Sequence, residues 1–140
     1  MAALWSETYK EKLIHPDKLK ETISAVRSKG LTIATLNGSF DLLHAGHLHI
    51  IYEASKQADV LIVALNSDSS IKQYKSFNRP IIKLEERLKM MAALGFVSYV
   101  TWFEETDPCK LLEVIKPDVH VNGAPYGDNC IEAETVRKGG

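Results

Sequence analysis

Two histidines, His44 and His47, stand three residues apart at what reads as the start of a helix, so their imidazoles share one face and can reach the same bound group. Ahead of them runs Asn37-Gly38-Ser39-Phe40-Asp41-Leu42-Leu43, which follows a short apolar strand directly. A glycine at such a strand-to-helix turn, here Gly38, leaves backbone N–H groups open toward an anion, and the positive end of the helix favours the same guest. Phosphate answers that description, and Gly46 between the histidines would let a polyphosphate lie close to the helix backbone. Attack on an α-phosphorus builds charge on its equatorial oxygens and on the departing pyrophosphate; two imidazole donors stabilise that charge without a covalent bond to the protein. Asp41 has the wrong sign to meet a phosphate, and is expected either to cap the helix or to approach the phosphates through a divalent cation. Any one of these residues has an ordinary structural reading as a turn glycine or a satisfied histidine. The whole string, placed between a strand and an amphipathic helix, is hard to obtain by chance.

The elements that must position this loop are legible from periodicity. Pro16 with Leu19, Ile23 and Val26 predicts a helix that stops at Gly30, and Leu31–Leu36 reads as a buried strand. A helix is predicted from about His44 to Gln57, then a nearly all-apolar strand Asp59–Leu65, as expected of a strand covered on both faces. Asn66-Ser67-Asp68 opens a polar stretch through Lys72, Lys75 and Arg79-Pro80, read as a short helix and a loop. Leu84, Leu88, Met91 and Leu94 mark a helix; Val97–Phe103, Pro108–Ile115 and Val119–Val121 read as strand, helix and strand. Met1–Lys10 is aperiodic and reads as a loose arm with Leu4, Trp5 and Tyr9 available to dock. The alternation implies an α/β fold, a Rossmann-like doubly wound parallel sheet in a single domain, with an arm and helix over residues 1–30 and the main unit over 31–140. Ligands of such sheets bind beyond the carboxyl ends of the strands, where segments 37–47, 66–79 and 122–126 all fall.

Composition narrows the partners. Seventeen basic and eighteen acidic side chains give a net charge of −1, so no overall positive field draws in a nucleic acid. Cys109 and Cys130 form neither a disulfide framework nor a metal pair, His15, His49 and His120 lack partners at metal-ligand spacing, and no apolar run approaches the roughly 20 residues of a membrane span. A cytoplasmic protein that binds no membrane is expected.

The H-A-G-H element preceded by G-S-F-D resembles the cytidylyltransferase-like nucleotidyltransferase superfamily. Asn66-Ser67-Asp68, Lys75, Arg79-Pro80, Glu86-Arg87 and Pro117-Asp118 fall in the order seen in bacterial heptose-1-phosphate adenylyltransferases, which make ADP-heptose for lipopolysaccharide. The resemblance implies that His44 and His47 contact the triphosphate, that the backbone of Ser39 and Phe40 helps hold it, and that Lys75 adds a catalytic charge. It extends the nucleotide site to Asn37, Gly38, Asp41, Gly46, Asn66, Asp68, Arg79, Asn122 and Gly123, with Mg2+ accompanying the ATP and no metal-ligand set in the protein itself. A homodimer is implied too, with Arg87 either tying the site together or contributing to the subunit contact.

Two departures from the family pattern stand out. Val121-Asn122-Gly123-Ala124-Pro125-Tyr126 replaces the usual V-K-G-G-D-Y, and the family normally continues past a glycine pair like Gly139-Gly140 into a strand and a phosphate-binding helix start, an element expected to be missing here. The activity implied is transfer of AMP from ATP to a sugar 1-phosphate with release of pyrophosphate. The rivals are CTP-dependent transfer to glycerol 3-phosphate and a nucleotide-binding module with weakened turnover. An aminoacyl-tRNA synthetase fragment is disfavoured, since nothing resembles the second signature of those enzymes.

Overall fold

The computed structural model describes residues 8–74, 79–105 and 108–121. Four parallel strands, β1 (Ile33–Gly38), β2 (Val60–Asn66), β3 (Tyr99–Phe103) and β4 (Val119–Val121), form one sheet in the order β3-β2-β1-β4. The helices are α1 (Leu19–Ser28), α2 (Ala45–Ser55), α3 (Asp68–Tyr74), α4 (Leu84–Ala92) and α5 (Cys109–Ile115). The expected α/β architecture is what forms.

Side-chain alternation along the strands builds two cores, one on each sheet face. In β2, Val60, Ile62 and Ala64 join α1 and α5 on one face, while Leu61, Val63 and Leu65 join α2 and α4 on the other. Every residue of β2 is buried, the signature of a central strand covered twice. Right-handed crossovers explain the sorting. The two steps β1 to β2 and β2 to β3 move the same way across the sheet and lay α2 and α4 on one face; the step from β3 back past β1 to β4 reverses direction and lays α5 on the other.

The reversal between β1 and β4 is a topological switch point, the place in such sheets where ligands commonly bind. Residues 39–44 leave β1 at that place.

Two expectations need correction. The strand predicted at Leu31–Leu36 is displaced to Ile33–Gly38, because its pairing with β2 starts at Ile33↔Val60 and continues to Gly38↔Leu65, with the Thr32 N–H taken by Asp59 (2.9 Å). The described end of the arm is not loose. Tyr9–Glu11 form a 3-10 turn, Tyr9 packs against the core, and Ile14 N–H and the Lys12 carbonyl bond Val100 at 2.9 Å, covering the edge of β3.

Candidate active site

The Gly38–His44 loop is shaped by an aromatic ring. Phe40 has φ +46°, a left-handed conformation uncommon outside glycine, and its ring occupies the space where a side chain on Gly38 would lie: a Cβ there would come within 2.9 Å of it. The glycine expected to bare the backbone to an anion therefore also seats Phe40. The same ring meets His47 edge-on with centroids 5.2 Å apart, and His47 stacks on His44 at 3.7 Å and an interplanar angle of 23°. The two imidazoles that spacing predicted on one face are brought into contact.

His44 is itself the N-cap of α2. Its extended backbone (φ −139°, ψ 173°) lets Nδ1 accept from the N–H of Gly46 (3.1 Å) and of His47 (3.4 Å), while Nδ1 of His47 accepts from the His44 N–H at 3.4 Å. The expectation that Asp41 caps this helix is thus overturned. A nitrogen that accepts from N–H carries no proton, so in its neutral form each ring holds its proton on Nε2. A Cβ on Gly46 would lie 3.0 Å from Cε1 of His44, so any side chain there would press on the capping ring.

Behind the loop lies a network of buried charge. Asp41, 6% exposed, accepts from the N–H of Ile81 (2.9 Å) and Ile82 (2.7 Å) and from Arg79 Nη1 (3.2 Å). Burial pushes its carboxyl upward, but these donors and the Arg79 charge outweigh it and hold it below the usual carboxylate range. Asp41 therefore does not fit the metal-bridging alternative, since both its oxygens are engaged by protein donors. Arg79 reaches Asp41 from the surface, its side chain 43% exposed.

Arg87 is 2% exposed and donates from Nη1 to the carbonyls of Ser39 (2.9 Å) and Asn66 (2.8 Å), from Nε to that of Ile82 (2.8 Å) and from Nη2 to Asp68 (2.7 Å). An unpaired buried guanidinium would cost several kcal/mol, so these partners are what permit its position. The expectation of Arg87 at a subunit contact is corrected: it has no surface to offer. Asn66 turns its amide inward to Ser70 Oγ (3.1 Å), and Asp68 also accepts from Leu84 N–H (2.9 Å). The bonds these two residues make hold α3 and α4 to the end of β2. Asn37 is half-buried in β1 opposite Ala64. Lys75, Asn122 and Gly123 lie outside the described residues, as do Leu4, Trp5, Cys130 and Gly139-Gly140.

The Cytidylyltransferase-like family matches residues 35–136, a span that begins in β1 and includes the whole histidine loop. The chain belongs to that family. Members similar to it include the Bifunctional protein HldE of Hahella chejuensis, 43% identical over 88% of this chain and 26% of that protein, and that of Campylobacter fetus subsp. fetus, 40% identical over 93% and 28%. The chain thus spans about a quarter of the length of these relatives. Among solved structures, the lipopolysaccharide core biosynthesis protein from Thermoplasma volcanium is 30% identical, with a TM-score of 0.66 over 78% of this chain and 88% of that one. In this family member the sequence pattern located the imidazole pair but missed the role of Phe40, and of the two places expected for Arg87 the structure shows the one that ties the site together. A signal for Arg87 existed: it falls between Leu84 and Leu88 on the apolar stripe of α4, where a charge must be buried and paired.

Proposed function

We propose that the chain transfers AMP from ATP to a sugar 1-phosphate of the heptose type and releases pyrophosphate. One observation carries the reading: the stacked His44–His47 pair, with both Nδ1 atoms turned to backbone N–H groups, at the switch point of the sheet. Donors fixed before substrate arrives need no reorganisation as charge grows on the α-phosphate and pyrophosphate. Arg79 and, from the family resemblance, Lys75 would add positive charge, and the acceptor phosphate would attack in line. The names of the HldE relatives and of the lipopolysaccharide core protein support a heptose-type acceptor.

Mg2+ is proposed to arrive with the triphosphate. Among the described residues no three His, Cys, Asp or Glu side chains converge, and Asp41 spends both oxygens and Asp68 its Oδ1 on protein donors, so the ion would be held chiefly by the phosphates and water. A homodimer belongs to the same proposal, with a contact that excludes Arg87. Among the described residues no helix is long and apolar enough to cross a membrane, and a cytoplasmic location is proposed on that footing.

Pyrophosphate release measured with ATP or CTP against heptose 1-phosphate or glycerol 3-phosphate tests the reading. Release only with ATP and the sugar phosphate is expected. Release only with CTP and glycerol 3-phosphate would move the assignment to that branch, and nucleotide binding without turnover would make the chain a binding module.

A further inference from the structure

The loop that carries the imidazoles has no ladder of its own, and neither does the segment 79–83 beside it. Two buried side chains of opposite charge cross the gap between them in opposite directions. Asp41 reaches from the loop to the N–H groups of Ile81 and Ile82, and Arg87 reaches back from α4 to the Ser39 carbonyl. Ile82 is held from both sides, its N–H by Asp41 and its carbonyl by Arg87. Apolar burial does not do this work at Ile81, which is 60% exposed.

We propose that Asp41 and Arg87 are positioning residues, a two-way lock that fastens segment 79–83 to the histidine loop and thereby sets the reach of the imidazole donors and keeps Arg79 beside Asp41. The proposal rests on the nucleotidyl-transfer reading above. A guanidinium is needed because one head group must serve the Ser39, Asn66 and Ile82 carbonyls and the Asp68 carboxylate at once. A lysine ammonium keeps the charge but has neither the fork nor the five donors.

The test compares R87K, D41N and the double variant. Each single change is expected to lower kcat/KM for the triphosphate roughly tenfold per folded molecule, mostly through kcat, as for a small misplacement of reacting groups. The double variant should fall no more than about threefold below the worse single, because both open the same lock. Hydrogen exchange at the Ile81 N–H should quicken in R87K, although that change removes neither partner of the Ile81–Asp41 bond; a role confined to global stability would leave kcat and KM of the folded fraction untouched. Single variants within about twofold of wild type in kcat/KM, or unchanged Ile81 exchange in R87K, overturn the lock. Should R87K not fold, the near-isosteric D41N decides by the same kcat/KM criterion. Wild-type protein that releases no pyrophosphate sinks the nucleotidyl-transfer reading instead, and the lock is then decided by amide exchange alone.

Discussion

Carboxylates fasten both ends of this sheet, with different consequences. At the end where the strands begin, Asp59 accepts from the N–H and hydroxyl of Thr32, and Asp118 accepts from Ile33 N–H (2.7 Å) and from Arg27, which also holds the Lys116 carbonyl. At the end where they finish, Asp41 and Asp68 accept from Ile81, Ile82 and Leu84 and from Arg79 and Arg87. Asp118 at one end and Asp41 and Asp68 at the other share a chemistry, a carboxylate bridging backbone N–H and a guanidinium. The donors differ: Ile33 starts a strand held on both sides by ladders, whereas Ile81 and Ile82 precede a helix and belong to no ladder. The first arrangement secures a fold that packing already specifies, and the second supplies order where packing supplies little.

The largest separation of the two ends should come from the site itself. H47A removes one donor from the imidazole pair, and kcat is expected to fall about 10²-fold or more while the melting temperature moves by no more than a few degrees. An unchanged rate would take His47 out of the chemistry. G46A should come next: its Cβ would press on the His44 ring at 3.0 Å, and a loss of roughly tenfold in kcat is expected from displacing that ring, read by steady-state kinetics. Activity equal to wild type would mean that the cap is unimportant to turnover.

At the opposite end, D118N should behave the other way round. Its side chain is 42% exposed, so the weakened bonds to Ile33 and Arg27 should cost only about 1 kcal/mol in denaturant unfolding, with kcat/KM unchanged. The smallest effect is in its pH dependence. The Ile33 N–H, and after it Arg27, hold the Asp118 carboxyl below the usual range, so the folded state binds its proton less readily than the unfolded chain does. Its contribution is present at neutral pH and is lost as pH falls through that depressed value; the stability gap between wild type and D118N should therefore close below about pH 4. A gap that persists in acid would assign the effect to packing.

Local pattern and distant contact explain what the sequence could reveal. The histidine pair, Gly38 and Gly46 lie within one loop and one helical turn, so spacing alone brought them together, and the all-apolar Val60–Leu65 announced a central strand. Arg87 was harder because its partners at 39, 66, 68 and 82 come together only through the winding of the chain. Asp41 misled for a related reason. Its nearness to the start of α2 suggested a cap, but an imidazole filled that role and left the carboxylate for a segment 40 residues further on.

The central claim is most directly tested by nitrogen-15 NMR of the imidazole side chains, taken with both rings neutral, before and after addition of a nucleoside triphosphate. The account predicts that His44 and His47 are both protonated on Nε2 in the free protein and that both Nε2–H signals move as triphosphate saturates the site. Protons on Nδ1, or Nε2 signals that stay in place while the nucleotide binds, would contradict it.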